Sequence, residues 1–311
     1  MKLAIFGCGN ISKRIAKSCN LVKEIDLVGF ASKNEEKARE YALTYGASDY
    51  GDYDHFLNGD IDAVYVATYN QSHYELIKRA LEHHKNVICE KPMLHSIGKT
   101  EEMFDLAKQN DVLLMEALKS VFLPAVIKTK QMMKDGVIGD ITEARASFMR
   151  CGDHPRDHWI NDPVTGGALK DLGTYCVGTL NYLFDEVPKM TGLESDATDE
   201  CSDTTAYVDL DYSGVKARVN VSNSLDGYTD LYIEGTRGYI DINNFWKTGK
   251  GVYFVDGTEY GLDEECISDF YYELKHFADL VDNGIKESPV MSRQASIDIL
   301  KITGENRLEK D

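Results

Sequence analysis

Basic residues, long apolar runs and paired cysteines are all scarce in this sequence. No stretch reaches the ~18 apolar residues of a transmembrane helix, so no membrane partner is expected. Lys and Arg number 34 against 52 Asp and Glu, and this formal charge of -18 argues against nonspecific binding to nucleic acid or anionic lipid. The seven cysteines include no CxxC pair, which predicts reduced thiols in a cytoplasmic protein and no redox or metal motif. The opening MKLAIFGCGN turns glycine-rich too early for a signal peptide.

Short apolar segments alternate with helical patterns from the start of the chain to about residue 120. Lys2–Phe6, Asp62–Thr68 and Asn86–Cys89 are apolar runs of strand length, and amphipathic patterns separate them. Such alternation is typical of βαβ units, so residues 1–120 are predicted to form an α/β, doubly wound parallel sheet of the Rossmann type. Ahead of one helix, Ser72 and Glu75 have the spacing of a capping box.

The second part of the chain, residues 121–311, has a different pattern. In Val215–Ser222 the apolar and polar residues alternate, which predicts a strand with one solvated face. Ser213-Gly214 predicts a hairpin turn that joins it to the strand Thr205–Tyr212. Near the end, Asp269–Asn283 returns to helical spacing. We therefore expect a second, α+β domain with a mostly antiparallel sheet.

A glycine-containing loop, Gly7 to Ser12, follows the first predicted strand and opens the first predicted helix. Gly7 permits a tight turn, and Gly9 allows a pyrophosphate to approach the backbone. The first helical residues, Asn10 and Ile11, then present free N–H groups and the positive end of the helix dipole to that anion. Ser12 is small enough for close packing of the helix. The loop predicts a dinucleotide-binding site.

The end of the second predicted strand bears on the choice of dinucleotide. An Asp or Glu there would bind the ribose of NAD, but the strand ends in Gly-Phe-Ala-Ser-Lys. Ser32 and Lys33 could instead bond a 2′-phosphate, which an acid would repel; the alternative is that Lys33 is an ordinary solvated residue at a helix start. NADP is therefore favoured, and NAD stays open.

Two motifs carry a resemblance to a known family. Glu90-Lys91-Pro92 directly follows the strand Asn86–Cys89, and Gly166-Gly167-Ala168-Leu169-Lys170-Asp171-Leu172-Gly173-Thr174-Tyr175 lies further along the chain. With the glycine loop, these motifs in this order resemble the Gfo/Idh/MocA family of sugar and polyol oxidoreductases, and most closely its branch of dihydrodiol dehydrogenase and glucose–fructose oxidoreductase. The resemblance spans nearly the whole chain.

The resemblance implies a Rossmann domain followed by a large, mostly antiparallel open sheet, whose exposed face would join chains into a homodimer or homotetramer. It also implies hydride transfer between a nicotinamide and a CH–OH or C=O group of a sugar, cyclic polyol or diol. In this reading Lys91 is the acid/base at the substrate oxygen and Glu90 orients it, since an amine beside an apolar surface can exchange a proton near neutral pH. Thr68, Asn70 and His73 would line the cofactor, although His73 could simply lie in the first turn of its helix.

The second motif places Asp171 and Tyr175 four residues apart, where many members of the family have a histidine in place of the tyrosine. Positions four apart on a helix share a face, so both side chains can point into one cleft. Tyr175 would then bond the substrate oxygen or pass a proton with Lys91, and Asp171 would bind a neighbouring hydroxyl. The alternative is an Asp that caps a helix and a Tyr that is half-buried in the core.

Some alternatives stay open at this point. In the polar stretch from Arg150 to Trp159, Arg156 or His158 could touch a hydroxyl or carboxylate, whereas a metal at the histidines and aspartates of this stretch is not expected. Lys119-Ser120 departs from the residues common in the branch, so the substrate is left undefined. A non-catalytic dinucleotide-binding regulator and an NAD-assisted glycosidase are the rival functions.

Overall fold

A computed structural model describes residues 1–152, 155, 158–198 and 200–304. The chain divides into two units: Met1–Leu118 with Phe270–Ile297, and Lys119–Asp269 with the residues from 298 onward. The sequence analysis placed one boundary at residue 120 and assigned everything after it to the second domain. In the structure, Phe270–Ile297 belongs to the first unit, and we call it the returning segment.

A six-stranded sheet with all strands parallel forms the centre of the first unit, in the order β3-β2-β1-β4-β5-β6. The strands are β1 (Lys2–Phe6), β2 (Asp26–Ala31), β3 (Asp49–Gly51), β4 (Ala63–Val66), β5 (Asn86–Glu90) and β6 (Leu114–Ala117). The helices are α1 (Asn10–Cys19), α2 (Glu35–Tyr45), α3 (Tyr53–Leu57), α4 (His73–Glu82), α5 (Ile97–Gln109) and, from the returning segment, α9 (Tyr271–Asp282). The prediction of a doubly wound parallel sheet is confirmed.

The strand order reverses between β1 and β4, which are neighbours in the sheet although β2 and β3 separate them along the chain. In open α/β sheets, ligands bind outside the carboxyl ends of the strands at such a switch point. Gly7 follows β1 and Thr68 lies just beyond β4, so both flank this position. The glycine loop between β1 and α1 and the residues after β4 therefore lie at the switch point of the sheet.

One local prediction was wrong. Ser72 and Glu75 do not form a capping box, because Ser72 is in an α-helical conformation and its side chain caps no helix N–H. Its hydroxyl lies instead 2.8 Å from the carbonyl oxygen of Tyr69 and 2.9 Å from the hydroxyl of Thr68. A turn of 3₁₀ helix, Asn70–Ser72, precedes α4. Ser72 thus stabilises the connection after β4 rather than the helix.

The second unit is built on an eight-stranded sheet in the order β14-β13-β12-β11-β7-β10-β9-β8, antiparallel except for the pair β7 and β10. Its strands are β7 (Ile141–Met149), β8 (Lys189–Ser195), β9 (Thr205–Tyr212), β10 (Val215–Ser222), β11 (Asp230–Gly235), β12 (Gly238–Asn243), β13 (Lys250–Val255) and β14 (Thr258–Asp263). Its helices are α6 (Pro124–Lys134), α7 (Ala168–Asp171) and α8 (Gly173–Phe184), and α10 (Arg293–Thr303) runs from the first unit into the second. The mostly antiparallel sheet was predicted correctly.

The two faces of this sheet differ in chemistry. Alternation along β10 buries Ala217, Val219 and Val221 on the face that packs against α8, while Arg218 lies on the other face beside Asp209. The turn Ser213-Gly214 joins β9 to β10 with positive φ at both residues, as a two-residue hairpin requires. The second face, which we call the outer face, is polar and aromatic.

Polar, aromatic and charged contacts hold the returning segment on the first unit. Glu273, which is fully buried in α9, is within 3.3 Å of the Tyr65 hydroxyl of β4. The guanidinium of Arg14 lies over the Phe270 ring, and Lys275 pairs with Glu24. In the described part of the chain, no helix has the length and apolar character to cross a membrane.

Candidate active site

The glycine loop has the shape that dinucleotide binding needs. Gly7 has φ +113, and a Cβ built there would lie 2.5 Å from the carbonyl oxygen of Ala67. A Cβ at Gly9, by contrast, would meet no atom of the described chain within 4 Å, so this side of the loop is open. The Tyr41 hydroxyl donates to the Gly9 carbonyl at 3.2 Å and holds the loop in place. The first turn of α1, with Asn10 and Ile11 exposed, contains no acidic residue, and an approaching pyrophosphate therefore meets a favourable dipole.

The end of β2 places Ser32 and Lys33 beside this loop. The Ser32 hydroxyl accepts the N–H of Asn34 at 3.1 Å and contacts the thiol of Cys8, while Lys33 is exposed. Burial raises the pKa of Cys8 to about 11, so its thiol stays protonated at neutral pH. A neutral thiol beside the loop does not repel an anion, and it is a poor nucleophile.

Lys91 lies in the turn that follows β5, at the carboxyl edge of the sheet. It is half-buried, and its peptide bond to Pro92 is cis. The next residue, Met93, donates its N–H to the buried Glu116 carboxylate at 2.9 Å. Burial raises the pKa of Glu116, an effect that the nearby Lys91 charge opposes. The turn thus presents one amine beside a buried carboxylate that holds its backbone.

A buried hydrogen-bond cluster lies next to the same turn. The Tyr65 hydroxyl is 2.9 Å from Oε1 of Glu90 and 3.3 Å from Oε1 of Glu273. The hydroxyl has one proton, so it donates to one carboxylate at a time. Tyr65 and Glu273 have no exposed surface and Glu90 has 8%. When Tyr65 of β4 donates to Glu90, it holds this predicted orienting residue in place directly before Lys91.

The sequence analysis missed Tyr65, Glu116 and Glu273. Glu273 left a readable signal, because it lies within the apolar stripe of its helix between Phe270 and Phe277. A carboxylate at such a position is costly unless it is bonded, so it marks a buried network. Glu116 left the same kind of signal as a charged residue inside the buried strand β6.

The residues after β4 have different environments. Thr68 and Asn70 are half-buried, and the Nδ2 of Asn70 has no acceptor in the described part of the chain. His73 is fully buried, and carbonyl oxygens face both of its ring nitrogens. With no exposed atom, His73 can influence a bound dinucleotide only through the groups that it contacts. Burial lowers its pKa, and the carbonyls oppose that shift.

In the second unit, the predicted helix that carries Asp171 and Tyr175 is interrupted at Leu172, which separates α7 from α8. Leu172 keeps α-helical angles, so the path stays helical over these four residues. Gly167 precedes the helix with φ +112, and Asp203 caps it by accepting the Leu169 N–H at 2.7 Å. Asp171 is half-buried, and Tyr175 is 8% exposed.

Aromatic rings surround Tyr175 within this unit. Its ring centroid lies 5.9 Å from that of Phe148 and 6.0 Å from that of Trp246, and these two rings stack at 5.1 Å. The Lys119 ammonium, which pairs with Asp269, lies 4.6 Å from the centre of the Trp246 ring. Two stacked aromatic rings, one of them with a buried ammonium over it, therefore adjoin the phenol.

The polar stretch from Arg150 to Trp159 is described only in part. Asp153, His154, Arg156 and Asp157 lie outside the described residues. His158 begins the 3₁₀ turn Trp159–Asn161, and its Nδ1 accepts the Ile160 N–H at 3.3 Å. Among the described residues no three His, Cys, Asp or Glu side chains are grouped as metal ligands, and no disulfide joins the described cysteines.

Comparisons with known proteins agree over nearly the whole chain. Residues 1–118 match the model of an oxidoreductase family with an NAD-binding Rossmann fold, and residues 126–241 match the GFO/IDH/MocA C-terminal domain. The chain is 30% identical to trans-1,2-dihydrobenzene-1,2-diol dehydrogenase of Mus musculus, over 91% of this chain and 88% of the relative. It is 29% identical to the scyllo-inositol 2-dehydrogenase (NADP(+)) IolU of Bacillus subtilis, over 99% and 96% of the two chains.

Among solved structures, the 3-ketoreductase KijD10 of Actinomadura kijaniata, in complex with NADP and TDP-benzene, superposes with a TM-score of 0.87. The two chains are 23% identical, and the match covers 96% of this chain and 94% of the other. At that identity the likeness supports the fold alone.

Proposed function

Because the chain belongs to the Gfo/Idh/MocA family of NAD(P)-dependent oxidoreductases, we propose that it interconverts a CH–OH group and a ketone on a cyclic diol, cyclic polyol or sugar, with NADP as the preferred cofactor. The observation that carries the proposal is the placement of Lys91. Its half-buried ammonium follows β5 at the carboxyl edge of a Rossmann sheet, on a turn held by buried side chains. A bare nucleotide-binding module has no need of an amine held in this way.

The proton chemistry falls to Lys91 in this proposal. Oxidation of an alcohol requires the hydroxyl proton to leave, and reduction of a ketone requires a proton to arrive at the oxygen. Lys91 takes or supplies that proton and stabilises negative charge that develops on the oxygen. The hydrogen bond from Tyr65 keeps Glu90 in position at the preceding residue.

The second unit supplies the substrate-binding groups in this proposal. Tyr175 bonds the reacting oxygen, and Asp171 accepts a hydrogen bond from a neighbouring hydroxyl. The stacked rings of Phe148 and Trp246 offer an apolar surface to one face of the substrate. A cyclic compound with two adjacent hydroxyls satisfies both requirements, since its ring has an apolar face and its hydroxyls lie on the edge. The relatives named for a dihydrobenzene diol and for an inositol act on compounds of this shape.

The dinucleotide would be held by the glycine loop, with Gly7, Gly9, Asn10 and Ile11 at the pyrophosphate. When bound, the oxidised cofactor would accept the hydride in alcohol oxidation, and NADPH would supply it in ketone reduction. Ser32 and Lys33 favour the 2′-phosphate form, because the end of β2 has a hydroxyl and a cation but no carboxylate to repel the phosphate. The relative IolU is named as NADP-dependent.

The test is a turnover assay with purified protein, NADPH or NADP, and a panel of cyclic diols, inositols, sugars and their keto forms. We expect absorbance change at the nicotinamide wavelength with at least one ring diol or its ketone, and a higher kcat/KM with NADP(H) than with NAD(H). Tight dinucleotide binding without turnover of any compound would contradict the proposal, as would release of a sugar from a glycoside without net cofactor reduction.

The cofactor preference is tested by Lys33→Glu, with Lys99→Glu as the matched control. Loss of the cation and gain of a carboxylate are each worth about 1 kcal/mol or more against a phosphate, so the preference should move toward NAD by roughly tenfold or more. Lys99→Glu makes the same charge change at an exposed residue of α5 and should leave the preference unchanged.

We further propose that the protein is a cytoplasmic homodimer or homotetramer assembled through the outer face of the large sheet. Tyr232, Tyr239 and Phe254 stack in a row across three strands of this face, at 5.5 Å between neighbouring centroids, and each is half-exposed. Sedimentation of the wild type should give at least a dimer, and Tyr239→Glu should shift it toward a monomer. A wild type that is monomeric at all concentrations would overturn the proposal.

A further inference from the structure

The buried imidazole of His73 lies between the two segments that the proposed reaction depends on. Its Nε2 is 3.2 Å from the carbonyl oxygen of Thr68, just beyond β4. Its Nδ1 is 3.2 Å from the carbonyl oxygen of Pro92 and 3.1 Å from that of Met93, in the turn that carries Lys91. Each ring nitrogen therefore faces main-chain oxygen, from a different strand end on each side. The neutral ring donates from one of its nitrogens at a time, and the protonated ring donates from both.

The Thr68 side of this bridge leads to the glycine loop. The methyl carbon of Thr68 lies 3.1 Å from the point where a Cβ of Gly7 would stand, and the carbonyl oxygen of Ala67 lies 2.5 Å from it. The end of β4 therefore lies close against Gly7, and the N–H of Ala67 donates to the carbonyl of Phe6, directly before the loop, at 2.8 Å. A shift of Thr68 would therefore shift the loop that is expected to hold the pyrophosphate.

The other side of the bridge leads to Lys91. Met93 is held twice, since its carbonyl faces His73 and its N–H donates to Glu116 at 2.9 Å. Glu116 belongs to β6, so the turn after β5 is tied to strand ends on both sides of it in the sheet. Only Pro92 lies between Met93 and Lys91, so rotation of the turn would displace the amine.

We propose that His73 is a positioning residue that fixes the Lys91 turn relative to the dinucleotide loop, so that the amine and the cofactor are placed by one rigid set of contacts. This inference rests on the proposed function, because it assigns His73 an effect on Lys91 as the proton-transferring group. It differs from the expectation that His73 touches the cofactor, since the side chain has no exposed surface.

Three substitutions separate the two sides of the bridge. The amide nitrogen of asparagine lies near the place of Nδ1, and that of glutamine lies near the place of Nε2, whereas leucine supplies no donor. We expect His73→Leu to lower kcat roughly 10- to 100-fold, because a small displacement of a reacting group has effects of this size. His73→Asn should recover most of kcat through the Lys91 turn. His73→Gln should recover dinucleotide affinity through Thr68 while kcat stays low.

A double-substitution cycle tests whether the effect passes through Lys91. In a Lys91→Ala background, His73→Leu should cause no further fall in kcat, since the group that it positions is absent. His276→Leu is the control for simple loss of packing, because His276 is a histidine of the same unit, bonded to the Ser288 hydroxyl at 2.8 Å, and has no part in the site. It should lower the melting temperature but leave kcat and dinucleotide affinity unchanged.

The outcomes distinguish this inference from the proposed function. If the wild type turns over a substrate and His73→Leu keeps its kcat, or if the losses of His73→Leu and Lys91→Ala multiply, the positioning role is wrong and the proposed function stands. If the wild type turns over nothing, the proposed function fails. NADPH fluorescence then still tests whether His73 positions the glycine loop through Thr68, and equal NADPH affinity in the wild type and in His73→Leu would overturn that part of the inference. Should His73→Leu fail to fold, the comparison of His73→Asn with His73→Gln tests the positioning role instead: equal kcat and equal dinucleotide affinity in the two variants would overturn it.

Discussion

Lys91→Ala is expected to lower kcat by roughly 100- to 10,000-fold, the usual contribution of a positioned acid or base. The fall should occur with little change in dinucleotide affinity, because the proposed phosphate contacts lie in the glycine loop after β1 and Lys91 follows β5. Steady-state kinetics on the best substrate of the panel, with NADPH binding measured by fluorescence, checks both parts.

A second variant at the same position separates the two roles that an ammonium can play. Arginine keeps the positive charge but does not release its proton near neutral pH. If charge stabilisation dominates, Lys91→Arg should retain a substantial part of kcat; if proton transfer dominates, it should be as slow as alanine. Lys99→Ala removes an exposed lysine that lies over the Tyr74 ring and should leave kcat unchanged. Full turnover by Lys91→Ala would show that this amine is not the acid/base.

Much of the fold could be predicted from the sequence, because buried strands have apolar residues at regular intervals. The strands Lys2–Phe6, Thr205–Tyr212 and Val215–Ser222 have the same bounds in the prediction and in the structure. Each has one or both faces covered, so its apolar residues recur with a strand period. The strands that escaped prediction, β3, β8, β13 and β14, lack that pattern. β3 has three residues, no residue of β8 or β13 is fully buried, and five of the six residues of β14 are exposed.

Candidate site residues could be proposed from the sequence where they lie at the end of a predicted strand. Gly7, Glu90 and Lys91 lie at carboxyl ends of parallel strands, which is where the fold places ligands. The sequence could flag Glu116 and Glu273 as buried charges, but it could not show what they bond, because such partners can be remote in sequence: Tyr65 and Glu273 are 208 residues apart. The return of Phe270–Ile297 to the first unit follows from the same long-range contacts, so the predicted boundary could not include it.

Gly7→Ala is expected to destabilise the first unit by roughly 2–6 kcal/mol, as the sum of backbone strain and overpacking. The φ of +113 at this position is one that an alanine rarely adopts, and the added Cβ would meet the Ala67 carbonyl oxygen at 2.5 Å. A main-chain oxygen at the end of a buried strand cannot move aside cheaply. Denaturant unfolding, with NADPH fluorescence as the binding readout, should show both lower stability and weaker binding.

Substitutions at two other glycines separate backbone strain from overpacking and from loss of ligand contact. Gly46 also has positive φ, +78, but its Cβ would meet no described atom within 4 Å, so Gly46→Ala should cost only the strain, about 1–2 kcal/mol. Gly9 has φ -101, and its Cβ would project into open space at the loop, so Gly9→Ala should keep its stability and bind NADPH about tenfold or more weakly. If Gly7→Ala were as stable as Gly46→Ala, close approach to β4 would not be what requires glycine at position 7. If Gly9→Ala bound NADPH as well as the wild type, the pyrophosphate would not lie against this loop.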